Sequence, residues 1–294
     1  MPPHDNSSNP PSVPARLTGP QPAVDQPDPT QRPATAARMY DYFLGGYHNF
    51  PADREAAQAV IAQLPDVPMI ARANRDFVAR AVRYLVDAGI RQFLDLGSGL
   101  PTAGNVHEIA QAAVADARVV YVDIDPVAVS ESLDLLASNP HATAVRGDLR
   151  TPQAILDNPA VARMLDLSRP VGVVLAAVLH FVPDDDQARD ILAQLAAGVG
   201  AGSHFAISHG AAETFPPTTT SAAAAAEVYR RRTATPGKPR RRVDVDRLLA
   251  GLDVVAPGLV WIHAWRPDPD HPAPAELLAS PSRGGMWAAV ARRP

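Results

Sequence analysis

The sequence contains no cysteine and only one lysine, and these absences narrow the classes of protein to consider. Without cysteine among its 294 residues, the chain has neither a disulfide framework nor a thiolate metal site. Lys238 is the single lysine among 27 basic residues, and the net charge is -4 at pH 7. An acidic protein of this kind has no general attraction for nucleic acid or for anionic membranes. We therefore expect neither as a partner.

Long apolar runs are missing as well. No segment approaches the roughly 20 apolar residues that a membrane span requires, and the first residues do not form the apolar segment of a signal peptide. These absences predict a cytoplasmic protein. Hydrophobic residues nevertheless make up 46% of the chain, which is enough for one large core at this length.

The chain divides into three parts by pattern. Residues 1–34 are rich in proline and polar side chains and show no apolar periodicity, which predicts a disordered leader. Residues 35–89 predict helices, and residues 90–294 alternate between strand and helix patterns, which predicts one α/β domain. The last helix of the second part has an apolar stripe that can cover a sheet, formed by Phe77, Ala81, Val82, Leu85 and Val86.

The most informative motif is a glycine turn between two apolar segments. Residues 91–102 predict a buried strand that runs into this turn, and residues 119–125 predict a second buried strand that ends on carboxylates. Gly97 and Gly99, with Ser98 between them, permit a sharp turn and a close approach of backbone to ligand. Asp123 and Ile124 end the second strand, where a carboxylate can accept hydrogen bonds from ribose hydroxyls. The unit predicts a nucleotide-like ligand.

The position of a third glycine separates two kinds of ligand. Dinucleotide folds place a glycine three residues after Gly99, but this chain has Thr102, preceded by Pro101. Proline at a helix start removes one backbone N–H from the cradle that a pyrophosphate needs. The motif therefore favours a ligand without phosphate, such as S-adenosylmethionine. An NAD-dependent oxidoreductase remains the alternative.

Later segments extend the predicted sheet. Residues 142–146 predict a third strand that leads to Asp148 and Leu149, where we expect contacts to an adenine. Residues 171–178 are apolar without alternation, as a central parallel strand must be, and they lead to His180 at the ligand-binding edge of the sheet. Further helices are predicted at 106–115, 127–138, 185–197, 221–232 and 245–251, a fifth strand at 203–208, and an antiparallel closing pair at 259–265 and 285–291.

These motifs are similar to those of class I S-adenosylmethionine-dependent methyltransferases. Within that class the chain resembles the actinobacterial S-adenosyl methyltransferase family, formerly catalogued as a domain of unknown function. The matching segments are residues 37–50, 73–77, 92–102, 104–108, 121–126, 148–150, 178–182 and 208–209. The resemblance implies a Rossmann-like α/β fold with a mostly parallel seven-stranded sheet, helices on both faces and an antiparallel C-terminal strand.

The same resemblance implies an activity and a cofactor. It implies a methyltransferase that uses S-adenosyl-L-methionine and releases S-adenosyl-L-homocysteine, with no metal. The methyl acceptor is not implied; we expect a small molecule of secondary metabolism. A protein that binds S-adenosylmethionine without transferring its methyl group is the alternative.

Several side chains are candidates for the site. His180 is the candidate general base for a hydroxyl or phenol acceptor, or else it packs beside the cofactor. Arg75 is placed to pair with the cofactor carboxylate, or else it forms a surface salt bridge. Asn105 is expected near the ligand. Residues 39–50 predict a lid over the methyl group with Gly45 and Gly46 as hinge, or else a tightly turned structural segment. Its candidate substrate contacts, besides Tyr40, are Tyr42, Tyr47, His48 and Asn49.

Other patterns are less specific. His107 and Glu108 form half of a zinc-helix motif, but Gln111 takes the place of the second histidine. Residues 184–186 are three aspartates at a predicted helix start, where they satisfy backbone N–H groups and favour the helix dipole. The arginine clusters at 230–232 and 240–242 predict a solvated loop, or else a site that recruits an anionic substrate. His209 predicts a buried, hydrogen-bonded side chain.

Overall fold

The computed structural model describes residues 33–101, 104–215, 219–233 and 235–294. The predicted leader therefore lies outside the described residues except for its last two positions, and so does Thr102. Of these last two positions, Ala34 is buried. Among the residues that the structure describes, none of the helices has the length and apolar character that a membrane crossing requires.

Three helices precede the sheet. They are α1 (Ala36–Phe43), α2 (Pro51–Gln63) and α3 (Val67–Asp87). The whole predicted apolar stripe of α3 is buried, which confirms that this helix covers the sheet. Gly89 follows α3 with φ of +92°, a left-handed conformation that favours glycine and ends the helix.

The sheet is mostly parallel, as predicted. The five parallel strands are β1 (Gln92–Leu96), β2 (Arg118–Asp123), β3 (Ala142–Arg146), β4 (Gly172–Ala176) and β5 (His204–Gly210), and they are followed in the chain by β6 (Asp253–Val254), β7 (Val260–Trp261) and β8 (Met286–Arg292). Their order is β3-β2-β1-β4-β5-β8-β6, with β7 also paired to β8. The strand β8 runs antiparallel to β5, which confirms the predicted C-terminal strand.

The closing part of the chain differs in detail from the prediction. The described residues form eight strands rather than seven, because two strands of two residues each, β6 and β7, pair with β8. The segment 259–265 was predicted as one strand, but only Val260–Trp261 pairs, and a 3₁₀ turn at Ile262–Ala264 follows. This turn buries Ile262 and His263 and thereby ends the strand.

Helices connect the strands on both faces. They are α4 (Val106–Ala113), α5 (Pro126–Leu135), α6 (Pro152–Leu156), α7 (Pro159–Met164), α8 (Asp185–Gly198), α9 (Thr220–Arg232), α10 (Arg242–Leu248) and α11 (Ala275–Ala279). The short helices α6, α7 and α11 were not predicted, since one or two turns carry too little periodicity to be recognised. Alternate strand residues serve opposite faces: Phe93 joins the apolar cluster that includes α3, whereas Leu94 joins the cluster that includes α8.

A third apolar cluster lies apart from the sheet. It joins Met39 and Phe43 of α1 to Ala57 and Val60 of α2 and to Ala225 of α9. Helices α1 and α2, which precede the sheet in the sequence, thus pack against α9, which follows all five parallel strands. We call α1, α2 and α9 the helical cover.

Candidate functional site

A cavity of about 1320 Å³ lies at the carboxyl ends of the parallel strands. Its lining combines the ends of β1 to β4 with side chains from the helical cover and α3. This is the edge at which open α/β sheets bind their ligands. A pocket for one small ligand measures about 300 to 1,000 Å³. The cavity therefore has room for more than one small molecule.

The glycine turn forms one wall of the cavity. Gly97 has φ of +68° and Gly99 has φ of +66°, so both require a conformation that other residues rarely adopt. A Cβ on Gly97 would lie 2.3 Å from Cγ2 of Val178, whereas a Cβ on Gly99 would meet nothing within 4 Å. Gly97 is thus required by packing, and Gly99 leaves open space where a ligand can approach. Ser98 lies between them and also lines the cavity.

Asp123 fixes this turn from the neighbouring strand. One of its carboxylate oxygens accepts a hydrogen bond from the Gly99 backbone N–H at 2.7 Å, and the other accepts from the Asp125 N–H at 2.8 Å. Burial raises the pKa of Asp123 to about 6, against the opposing effect of these hydrogen bonds. A carboxylate oxygen can accept two hydrogen bonds, so Asp123 keeps capacity for ligand hydroxyls.

Asp95, which the sequence reasoning did not single out, is a further carboxylate in the cavity wall. It is buried in β1, lines the cavity, and accepts no hydrogen bond from any residue that the structure describes. Burial raises its pKa to about 7, while the charge of Arg75 opposes this rise. The signal for it in the sequence was a carboxylate inside an otherwise apolar strand, two residues before Gly97. A buried carboxylate without a hydrogen-bond donor is costly, and a cationic ligand group beside it would offset that cost.

Arg75 of α3 stands on the other side of this region. Its guanidinium donates a hydrogen bond to the Gly104 carbonyl at 2.7 Å, and the side chain lines the cavity. Asn105, in contrast, is not among the residues that line the cavity. It begins α4, where its backbone N–H donates to the Glu108 carboxylate at 2.8 Å.

Two of the predicted adenine and ribose contacts, Leu149 and Ile124, line the cavity together with Asp148. The Asp148 carboxylate binds the Arg150 guanidinium through three contacts of 2.6 to 3.0 Å. These hydrogen bonds hold the pKa of Asp148 below its ordinary value. Asp148 therefore remains a carboxylate near neutral pH and shares its oxygens with Arg150.

His180 lies in a 3₁₀ turn, Leu179–Phe181, directly after β4 and lines the cavity. Its Nδ1 accepts a hydrogen bond from the Gly210 backbone N–H at 3.4 Å. Its ring lies 4.4 Å from the Phe181 ring and 5.8 Å from the His209 ring. Burial, and to a lesser extent the charge of Arg240, lowers the pKa of His180 to about 4.

Four side chains of the predicted lid segment, those of Tyr42, Tyr47, His48 and Asn49, are not part of the cavity lining. Tyr47 is 84% exposed, and the Tyr42 hydroxyl accepts a hydrogen bond from Gln58 at 3.0 Å. His48 lies 3.3 Å from Glu131, and Asn49 is buried and donates to Asp41 at 2.7 Å.

None of the four predicted substrate contacts lines the cavity, so their contact with substrate stays a prediction. The aromatic residues of this segment that do line it are Tyr40, Phe43 and Phe50. Within α1, helix periodicity explains why Tyr42 differs from its neighbours, because Tyr40 and Phe43 are three residues apart on one face of the helix.

A buried ionic network fastens α1 to the end of β2. Arg38 is 3% exposed, and its guanidinium donates to Asp53 and to Asp125, each at 2.8 Å. The Thr35 hydroxyl also donates to Asp125 at 2.7 Å. Asp125 in turn begins α5, directly after the strand that carries Asp123. The helical cover is therefore tied to the carboxyl end of β2 by charged groups that cannot separate without leaving a buried charge unpaired.

Comparison with known proteins identifies the family. The model of the family described as S-adenosyl methyltransferase matches residues 23–294. The chain belongs to this family. A DUF574 family protein from Streptomyces avermitilis is 40% identical, with a TM-score of 0.82 over 91% of this chain and 100% of that one. A structure from Thermobifida fusca is 36% identical, with a TM-score of 0.79 over 89% of this chain and 95% of that one. Among curated proteins, no sequence matches that of this chain.

Membership in the S-adenosyl methyltransferase family makes this chain a methyltransferase that depends on S-adenosylmethionine. The cavity wall fits that cofactor in three respects. The open space at Gly99 admits a ligand against the backbone, Asp123 has free capacity for hydroxyls, and the unpartnered carboxylate of Asp95 suits an ammonium group. The residues present therefore fit the cofactor that the family uses.

Proposed function

We propose that this protein transfers the methyl group of S-adenosylmethionine to a small-molecule acceptor enclosed beneath the helical cover. The observation that carries the proposal is the single cavity wall shared by two groups of residues. Asp95, Gly99 and Asp123 suit the cofactor, whereas Tyr40 and Tyr229 of the cover face the same space and take no part in the glycine turn. A cavity of about 1320 Å³ accommodates cofactor and acceptor together.

The cofactor side assigns one group of the ligand to each charged residue. Asp95 would hold the ammonium group of the methionine part, and Arg75 its carboxylate. Asp123 would accept hydrogen bonds from the ribose hydroxyls. Asp148, with Leu149 and Ile124 beside it, would contact the adenine. Gly97, Ser98 and Gly99 supply the backbone against which the ligand lies.

The chemistry asked of the protein is modest. Bound S-adenosylmethionine supplies a methyl group that its sulfonium already activates. The chain has to position the acceptor, exclude water and keep the nucleophilic atom unprotonated. Proximity and enclosure are the main sources of rate acceleration in such a reaction. The helical cover would supply the enclosure, since residues of α1 and α9 line the cavity together with the strand ends.

Calorimetric titration of the purified protein tests the cofactor side. S-adenosylmethionine and S-adenosylhomocysteine should bind, and NAD should not. Asp123→Asn should weaken both titrations about tenfold or more, because it removes charge-assisted hydrogen bonds to the ribose. Asp116→Asn, at an exposed position outside the cavity lining, is the matched control. Binding of NAD alone would refute the proposal. Transfer itself is then followed by release of S-adenosylhomocysteine in the presence of acceptor candidates.

A further inference from the structure

One part of the cavity lining carries no charged side chain. The described residues that line the cavity from Ala177 to Met286 include no aspartate, glutamate, lysine or arginine. The charged lining residues, such as Arg75, Asp95 and Asp123, come from earlier parts of the chain. We call the lining from Ala177 to Met286 the acceptor wall. An acceptor with a fixed charge would find no ionic partner on it, and burying a charge without a partner is costly.

The acceptor wall is aromatic. The rings of Phe181 and Tyr229 lie 5.9 Å apart with an angle of 46° between their planes. The rings of His180 and Phe181 are 4.4 Å apart, and Phe215 also lines the cavity. Aromatic rings at such spacings pack well against a further planar ring. The wall therefore suits a flat, apolar body.

His180 offers this wall a hydrogen-bond donor. A backbone N–H can only donate, so Nδ1 of His180 accepts from Gly210 and the proton of the neutral ring sits on Nε2. Nε2 makes no hydrogen bond to any described residue. The ring stays neutral at physiological pH, because burial and Arg240 lower its pKa to about 4.

The charged groups around His180 keep it in this form. Arg240 is buried behind it and donates to Nε2 of His209 at 3.0 Å and to Asp185 at 2.7 Å. Lys238 also binds Asp185 at 2.7 Å. Two cations thus share one carboxylate near His180, and that carboxylate is half-exposed. Protonation of the imidazole is opposed, and a negative charge on a ligand atom beside Nε2 is favoured.

Tyr229 supplies a second donor. Its hydroxyl makes no hydrogen bond within the described part of the chain, whereas the nearby Tyr40 hydroxyl donates to the Ala71 carbonyl at 3.0 Å and accepts from Asn74 at 2.8 Å. Burial raises the pKa of Tyr229, so the hydroxyl keeps its proton. Two donors, each beside the Phe181 ring, call for an acceptor atom that carries lone pairs and gains negative charge.

We propose that the methyl acceptor is an otherwise uncharged aromatic compound with a phenolic hydroxyl, and that the Nε2–H of His180 and the Tyr229 hydroxyl hold its oxygen as the phenolate. The proposal rests on the proposed function. In the reaction the phenol gives its proton to water, its oxygen forms a bond to the methyl carbon, and the carbon–sulfur bond breaks with its electron pair left on sulfur. The products are an aryl methyl ether and a neutral thioether.

A phenol fits better than an aliphatic alcohol because the acceptor wall has no effective base. His180 binds protons too weakly, and its Nδ1 faces a backbone donor. A phenol ionises near pH 10, as tyrosine does, whereas an aliphatic hydroxyl is nearly as weak an acid as water, whose pKa is about 15.7. Only the former becomes a nucleophile with the help of donors alone. His180 is thus assigned as a donor to the acceptor oxygen, not as the general base.

The test uses 4-nitrophenol as a probe, because its phenolate absorbs visible light and its phenol form does not. Protein saturated with S-adenosylhomocysteine is mixed with the probe below the probe's own pKa. The bound probe should show an increased phenolate fraction. His180→Phe and Tyr229→Phe should each weaken probe binding about tenfold and lower that fraction, since each removes a hydrogen bond to a charged oxygen. His180→Gln should retain most of the effect, because it retains an N–H donor.

Two controls keep the test specific. Tyr84→Phe removes a hydroxyl from a tyrosine that packs on Trp265 outside the cavity, and it should change nothing. Nitrobenzene lacks the hydroxyl and cyclohexanol lacks the ring, and both should bind more weakly than 4-nitrophenol. Stronger binding of cyclohexanol or of benzylamine, or S-adenosylhomocysteine binding without any change in the 4-nitrophenol spectrum, would overturn the acceptor class and leave the proposed function intact. Failure of S-adenosylhomocysteine to bind would overturn both.

Once a phenolic substrate is found, kinetics separate the two roles of His180. A donor predicts that His180→Gln keeps much of the wild-type kcat and that the pH profile of the variant keeps its shape. Equal losses in His180→Gln and His180→Phe, with the acidic limb of the profile abolished in both, would show that His180 is a base after all.

Discussion

Replacement of Asp95 by asparagine should make the protein without cofactor more stable and the complex weaker. The carboxylate is buried in β1, has no hydrogen-bond donor among the described residues, and has its pKa raised to about 7. Asparagine has nearly the same shape and never ionises. The substitution therefore removes a costly charge from the free protein and the partner of an ammonium group from the complex.

The magnitude of the stability effect follows from the pKa. A carboxyl whose pKa is raised by folding binds its proton more tightly in the folded state, so its contribution to stability falls as pH rises toward the folded pKa. Between pH 5 and pH 7 the folded Asp95 is protonated and the unfolded one is not. At about 1.4 kcal/mol per pH unit, the free energy of unfolding of the wild type falls by roughly 3 kcal/mol over this window. Asp95→Asn does not undergo this loss.

The assay is urea denaturation of both proteins at pH 5 and pH 8 without cofactor, with Asp116→Asn as an exposed control. The advantage of Asp95→Asn over the wild type should grow by roughly 3 kcal/mol between the two pH values. Calorimetry at pH 8 should show S-adenosylhomocysteine binding about 10-fold to 150-fold weaker, the loss of one charge-assisted interaction. In the wild type this affinity should rise with pH up to about 7. A variant that is less stable at pH 8 yet binds normally would refute the assignment of Asp95 to the ammonium group.

Three further outcomes are expected from the geometry of the turn and of the cover. Gly97→Ala should be destabilised by about 2 to 4 kcal/mol in thermal or urea unfolding, since it combines an unfavourable φ with a contact of 2.3 Å to Val178. Gly99→Ala should be destabilised by only about 1 to 2 kcal/mol, because its φ is equally unfavourable but its Cβ meets open space; equal losses in the two variants would contradict the packing argument. Arg38→Met should cost about 3 to 5 kcal/mol in urea unfolding, as it leaves two buried carboxylates without their cation, and a loss below about 1 kcal/mol would show that the network does not hold the cover.

The part of the cavity lining at the strand ends could be predicted from the sequence because it is built from local motifs. Each strand end of β1 to β4 is followed directly by the residues that line the cavity, so reading along the chain gave Gly97, Ser98, Gly99, Asp123 and Asp148. Parallel strands bring these ends to one edge whatever the helices between them do. Asp95 was not predicted, because every position of a strand that is buried on both faces is expected to belong to the core. No sequence pattern marks a carboxylate within such a strand as a ligand contact.

The lid segment shows the opposite case. Its aromatic residues are clustered in the sequence, but which of them face the cavity depends on the rotation of α1 and on the turn after it. Gly45, with φ of +82°, reverses the chain just after that helix and exposes Tyr47. Asn49 then folds back onto Asp41, and this hydrogen bond closes the turn. The composition of residues 39–50 predicted that the segment contributes to the site. Which of its side chains line the cavity depends on the path of the backbone.

The sequence offered Tyr40 and His180 as separate candidates, but their meeting with Tyr229 could not be predicted, for a topological reason. Tyr40, His180 and Tyr229 come from α1, from the turn after β4 and from α9, and nothing in the sequence links them. They meet because the apolar cluster of α1, α2 and α9 joins two helices that precede the sheet to one that follows β5, and because Arg38 fastens that cluster to Asp125. The same ion pair couples the two halves of the site. A change that loosens Arg38 should displace α1 and the strand end that carries Asp123 together. Under the proposed function, binding of the cofactor and selection of the acceptor should therefore vary jointly among variants of the cover.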